Sequence, residues 1–298
     1  MCREGHKEMA DNKQIAVLAD IHGNYIALQK CVEYVRERGI DTFLFLGDYV
    51  GELAYPQRTM ELLYELQEKY HCYFIKGNKE DYWIHYHKIG GQDWKEIDST
   101  TGSMVYTYRH LSEKDIEFFG GLSHVREIMF KGLPAITICH GSPRKANEKM
   151  LPDDEKTFAI LEENTADYIL CGHTHVQGRI RYKNKVAYNP GSVGVSLHGN
   201  GRAQFMILHG AKGEWTEEFV SLAYDVQSVI RELYEEELHI KAPCWCRVTE
   251  NLLLTGETPH GSVLARAMQL CTEDMGECNW PNIPEKYWWQ AVKEMIEL

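Results

Sequence analysis

The most telling absence is of long apolar runs. No stretch of the 298 residues approaches the roughly 20 consecutive apolar positions that a membrane-spanning helix needs, so no helical membrane span is expected. Residues 1–13 are polar and lack a signal peptide's apolar centre; they read as a loose tail on a cytoplasmic protein. Positive charge is also scarce. A net charge of −12 argues against a broad electrostatic footprint for nucleic acid. A phosphate substrate stays open, because bound cations invert a local field. The nine cysteines are odd in number and scattered, which points to reduced thiols rather than disulfides. Internal repeats and low-complexity linkers are missing too.

What is present suffices for one main domain with an appendage: 44% of residues are hydrophobic and 26% charged. Phe43-Leu-Phe-Leu46 is an apolar run suited to a buried strand, and it stops at Gly47-Asp48. A lone Gly-Asp is usually a turn. Here it has company. A strand over 15–19 ends at Asp20-Ile-His22. One over 72–75 ends at Gly77-Asn78, one over 133–139 at His140, and one over 168–171 at Gly172-His173-Thr-His175. Between the first strands run helices carrying Ala27, Leu28, Cys31, Val32 and Val35, then Met60, Leu63 and Leu66, at helical spacing. Such alternation predicts sheets covered by helices, with ligands at the carboxyl ends of strands.

From Glu80 to Phe119 the pattern is helical and aromatic, with no legible chemistry; His85 and His87 read as ordinary surface or packing residues. A strand over 124–130 pairs with that over 133–139, and a helix follows near 157–163. Closely spaced strands over 178–182, 185–188, 192–197, 204–209 and 215–220 predict an antiparallel sheet of hairpins. The fold class expected is α/β, two sheets face to face with helices outside both. After residue 223 the chain turns helical. Val226, Val229, Ile230 and Leu233 form one stripe, and Trp288, Ala291, Val292 and Met295 another, both facing a core. Cys244, Cys246, Cys271 and Cys278 lack the usual spacing of a zinc site and read as buried thiols.

Asp20, His22, Asp48, Asn78, His140, His173 and His175 are too many ligands for one tetrahedral zinc. They suit two divalent ions sharing a carboxylate: manganese first, iron or zinc next. Asp20-Ile-His-Gly-Asn24, Gly47-Asp-Tyr-Val-Gly51, Gly77-Asn78, His140-Gly-Ser-Pro143, Gly172-His-Thr-His175 and Asn189-Pro-Gly-Ser-Val193 together resemble the calcineurin-like metallophosphoesterases. Within that family they are most similar to the YfcE-like phosphodiesterases.

The resemblance covers residues 14–222. It implies a four-layer αββα sandwich of two mixed sheets, with residues 223–298 as a helical extension packed on it. It also implies that Asp20, His22, Asp48 and His175 hold one ion, and that Asp48, Asn78, His140 and His173 hold the other, with Asp48 bridging. Asp48, Asn78, Lys79 and His140 would then stand nearest the chemistry. That chemistry would be hydrolysis of a phosphodiester, nucleotide or dinucleoside polyphosphate by a hydroxide bridging ions about 3.5–4 Å apart. The expected partner is a small phosphate ester or nucleotide, not a membrane or nucleic acid, with the extension available as a cap or homo-oligomer surface.

The sequence departs from the family at Lys79, where a leaving-group-protonating His often follows Gly-Asn. An ammonium beside two cations is expected to have a lowered pKa and to stabilise the developing oxyanion or donate a proton to it; the alternative is a solvated lysine at a helix start. A phosphomonoesterase or protein phosphatase is a rival reading, but Gly51 and Glu52 stand where the protein phosphatases carry Asp and Arg. A non-catalytic scaffold on the same fold is another, and the full ligand set speaks against it.

Overall fold

The computed structural model describes residues 13–296. Residues 1–12 of the expected tail lie outside that range, and Lys13 already belongs to a strand. Three strand–helix units open the chain: β1 (Lys13–Leu18), α1 (Tyr25–Glu37), β2 (Thr42–Phe45), α2 (Pro56–Lys69), β3 (His71–Phe74) and α3 (Asn78–Lys88). The Asn24 side chain caps α1 by accepting from the Ala27 N–H, and all five stripe residues expected on that helix are buried. Then come α4 (Gly102–Arg109), α5 (Glu113–Gly121), β4 (Val125–Ile128), β5 (Ile136–Cys139), α6 (Glu155–Glu163), β6 (Tyr168–Leu170), β7 (Gly178–Tyr182), β8 (Lys185–Asn189), β9 (Ala203–Ala211) and β10 (Glu214–Leu222). Five helices finish the chain: α7 (Val226–Glu235), α8 (Leu238–Lys241), α9 (Pro243–Thr255), α10 (His260–Met275) and α11 (Glu285–Met295).

The strands form two five-stranded mixed sheets, ordered β10-β9-β1-β2-β3 and β4-β5-β6-β8-β7. In the first, β1, β2 and β3 are parallel while β9 runs antiparallel to β1. In the second, β5, β6 and β8 are parallel, flanked by antiparallel β4 and β7. Strand alternation sorts the core into layers. Ile15, Val17, Leu44, Ile138 and Met206 pack between the sheets, while Ala16, Leu18, Phe43 and Phe45 face α1 and α2. The result is the αββα sandwich, with additional C-terminal helices.

Two expectations need correction. The closely spaced late strands do not make one antiparallel sheet: β7–β8 and β9–β10 are hairpins, but the second hairpin joins the first sheet beside β1. Residues 192–197 are not a strand either. Their backbone is committed to the site loops: Val193 and Gly194 donate to the Ala19 and Asp20 carbonyls, and the Val195 carbonyl faces His175.

The C-terminal helices are docked by both apolar and polar contacts. Val229, Ile230 and Leu233 pack with Leu53, Ala54 and Val195. Trp288, Ala291 and Val292 form a separate small core with Cys244 and Cys271. Trp288 donates to Thr100 at 2.9 Å, and Glu285 accepts from the Ser99 N–H and hydroxyl. Cys244, Cys246 and Cys271 are buried and Cys278 is half-buried.

Candidate metal centre

Five of the seven expected ligand residues lie in left-handed backbone: Asp20, His22, Asp48, His173 and His175, with φ between 53° and 66°. This conformation costs a non-glycine residue about 1–3 kcal/mol and persists only where its surroundings impose it. Here hydrogen bonds between strand ends impose it. The Asp20 N–H donates to the Gly47 carbonyl and the His22 N–H to the Asp48 carbonyl, knitting the β1 and β2 ends together. Gly47 and Gly77 meet backbone to backbone, and a Cβ on Gly47 would collide with the Gly77 nitrogen. That close approach brings Asp48 to the first turn of α3, where its Oδ1 accepts from the Lys79 N–H at 2.9 Å. Asp20 accepts from the His173 N–H, which ties the first sheet to the second.

The donor atoms converge in two overlapping groups: Asp20, His22 and His175, and Asp20, Asp48 and His140, each with its ligand atoms within 4.8 Å of one another. Asp20 Oδ1 lies 3.2 Å from His175 Nε2 and 3.8 Å from His140 Nε2. Asp48 Oδ2 lies 3.8 Å from His22 Nε2 and 3.4 Å from His140 Nε2, and Asp20, common to both groups, lies 3.9 Å from His22 Nε2. His173 is outside these compact groups; its ring centroid is 5.2 Å from that of His140. Among the described residues the buried Asn78 Oδ1 has no hydrogen-bond partner.

Imidazole orientation is fixed from behind. His140 turns Nδ1 to the Leu46 carbonyl at 2.7 Å and His175 turns Nδ1 to the Val195 carbonyl at 3.0 Å. His22 turns Nδ1 to Glu52 Oε2 at 2.6 Å. Backing of this kind aims the Nε2 lone pairs inward. His22 Nε2 and His175 Nε2 then face each other at 3.1 Å, and His140 Nε2 is buried with no hydrogen-bond partner among the described residues. Inward lone pairs around buried carboxylates are the donor set for divalent cations. The same crowding moves the ring pKa values apart. Burial would depress His140, but Asp48 and Asp20 more than offset it and raise its pKa to about 10, so this ring holds a proton that a bound cation would displace. His173 is pushed the other way, to about 4, by burial and by His140.

Lys79 departs from expectation. Its ammonium is ion-paired with Glu52. Burial pulls its pKa down, but Glu52 and Asp48 pull it up further, above the ordinary lysine value. The lowered pKa expected for Lys79 is therefore corrected for the chain alone: a buried carboxylate holds the proton on. Glu52 itself is only 5% exposed and is shared between Lys79 and His22. Burial works against its charge, yet His22 and Lys79 hold its pKa well below the ordinary glutamate value.

Two functional residues escape a reading of the sequence. Glu52 orients His22. Glu80 is fully buried, and its carboxylate accepts from the Asp48, Tyr49 and Gly77 N–H groups at 2.7–2.9 Å, fixing both loops that carry Asp48 and Asn78. Burial, then the nearby Asp48 charge, raises its pKa to about 7. The signal available for Glu80 is its place three residues after Gly77, the reach-back position of a capping box.

A cavity of about 640 Å³ opens over the cluster, with His22, Asp48, Asn78 and His175 on one side and Trp245 and His260 on the other. The calcineurin-like phosphoesterase family pattern matches residues 13–177, more than half of the chain. The chain belongs to that family. An uncharacterized protein of Methanocaldococcus jannaschii, MJ0912, is 27% identical over 250 residues, covering 78% of this chain and 94% of its own. The fold is shared with hypothetical protein PH1004 of Pyrococcus horikoshii, at TM-score 0.68 and 20% identity, over 83% of this chain and 99% of that one. It is shared too with a metallophosphoesterase of Sphaerobacter thermophilus, at TM-score 0.64 and 20% identity, over 82% and 99%. Among the described residues no helix is long and apolar enough to cross a membrane.

Proposed function

We propose that this chain is a cytoplasmic phosphodiesterase that hydrolyses a diester, nucleotide or dinucleoside polyphosphate with two divalent ions, manganese foremost. The observation that carries the reading is the set of three imidazoles, each backed at Nδ1 and turning Nε2 onto the Asp20 and Asp48 carboxylates. In this reading Asp20, His22, Asp48 and His175 hold one ion and Asp48, Asn78, His140 and His173 the other. Such ions, when bound, polarise a phosphoryl group and lower the pKa of water.

The chain's own residues supply the rest. Asp48 offers one carboxylate to both sides of the cluster. Glu52 holds the His22 ring in place, and Lys79, by pairing with Glu52, keeps that carboxylate ionised and aimed. Lys79 is therefore a positioning residue in this reading rather than the proton donor. Leaving groups that need little protonation are then preferred: aryl esters and phosphoanhydrides over alkyl monoesters.

The test is a panel of phosphodiesters, nucleotides, dinucleoside polyphosphates and monoesters, each with manganese, zinc and iron. Turnover of diesters or anhydrides well above monoesters is expected. Failure to hydrolyse any of them with any metal would sink the reading.

A further inference from the structure

The family match ends at residue 177, and α7–α11 lie wholly beyond it. Yet these helices supply one side of the cavity that holds the metal cluster. A phosphoryl group is only a phosphorus and its oxygens, whereas a volume of about 640 Å³ is that of a site for a whole small organic molecule. Residues of α9 and α10, among them Trp245, His260, Gly261 and Ala265, line part of it.

That side is built rather than loose. His260 is buried, its Nε2 is 2.8 Å from Thr249 Oγ1, and its ring stacks on Trp245 at 4.5 Å and 24°. Trp245 in turn packs edge-on against Trp288. Its indole Nε1 is buried and, within the described residues, donates to nothing. Lys79 Nζ stands 5.7 Å over the Trp245 ring, which links this wall through Glu52 to His22. Leu197 and Pro259 add apolar surface. In front of α10 the space is open: Gly261 and Ala265, one turn apart, are exposed on the cavity side, and a Cβ at Gly261 would meet nothing within 4 Å.

We propose that the α9–α10 wall binds the organic substituent of the phosphate ester and selects substrates by it, favouring a bulky, partly aromatic group. This rests on the phosphoesterase reading above. Apolar surface and a wide opening suit such a group.

Gly261→Trp and Ala265→Trp test the idea, because each fills the cavity from a helix face that has room. Two diesters with the same leaving group are compared: bis(4-nitrophenyl) phosphate and methyl 4-nitrophenyl phosphate. The ratio of their kcat/KM values should fall roughly 10- to 200-fold in Gly261→Trp, carried mainly by KM, with bound metal unchanged by mass spectrometry. An unchanged ratio in both variants overturns the proposal. Calorimetric binding of diphenyl phosphate separates the two readings. A chain that hydrolyses nothing, yet binds this diester and loses it in Gly261→Trp, keeps the wall and sinks the phosphoesterase reading. Equal affinity in wild type and both variants overturns the wall.

Discussion

On one side of the cleft, most of the candidate ligand residues sit at strand ends in left-handed backbone held by hydrogen bonds between those ends. On the other, α9, α10 and α11 hold ordinary helical geometry around a small apolar core, with a stacked Trp245–His260 pair at the edge. The first side is costly to build: it buries Asp20, Asp48, Glu52 and Glu80 together. Carboxylates so placed are stable only when paired, hydrogen-bonded or bound to cations. The second side follows the usual logic of apolar burial. Chemistry restricts which residues can serve on the first side, whereas the second needs only shape.

Substitutions can break that contrast. Asp48→Asn removes a carboxylate that faces both halves of the cluster, so activity should fall to background and bound metal should be depleted while the fold survives. Two tightly bound ions in the mutant, measured by mass spectrometry, would refute the shared-ligand assignment. Trp288→Ala strikes the other side. It should cost about 3–5 kcal/mol of stability in denaturant unfolding while leaving metal stoichiometry in the folded chain unchanged. Lost metal binding at equal foldedness would show that the two sides are not separable.

Finer changes sharpen it. Glu52→Gln leaves every expected ligand in place but weakens the backing of His22, so metal affinity should fall roughly 10- to 100-fold in a competition titration. Unaltered affinity would mean that the contact is incidental. Another prediction concerns pH. Burial lowers the His260 pKa from 6.5 to about 3. The unfolded chain therefore binds the proton first, and stability falls as pH drops from about 6.5 towards 3. The stability gap between wild type and His260→Gln should narrow over that window in urea unfolding; a constant gap would show that His260 is not held neutral.

The contrast also explains what can be read from sequence. The gathering of Asp20, His22, Asp48, His140 and His175 is legible because each follows an apolar strand and belongs to a restricted set of ligand types. Glu52 is not, since it registers only as a departure from another family pattern. Glu80 works through backbone N–H groups that no sequence displays. Residues 192–197 have strand-like composition, but hydrogen bonds to Ala19 and Asp20 claim their backbone. Trp245 and His260 are hidden because stacking between one helix and the start of the next leaves no spacing signature.

The left-handed ligand residues have one more consequence. His173 holds φ 66°, a strain met by its N–H bond to Asp20, while its ring stands outside the compact groups. A cation that binds only the folded chain offsets it from outside, by about 2.7 kcal/mol at 100 times its Kd. The melting temperature thus becomes a reporter of the site, and a thermal scan with each cation in turn would rank them as occupants before any substrate is known.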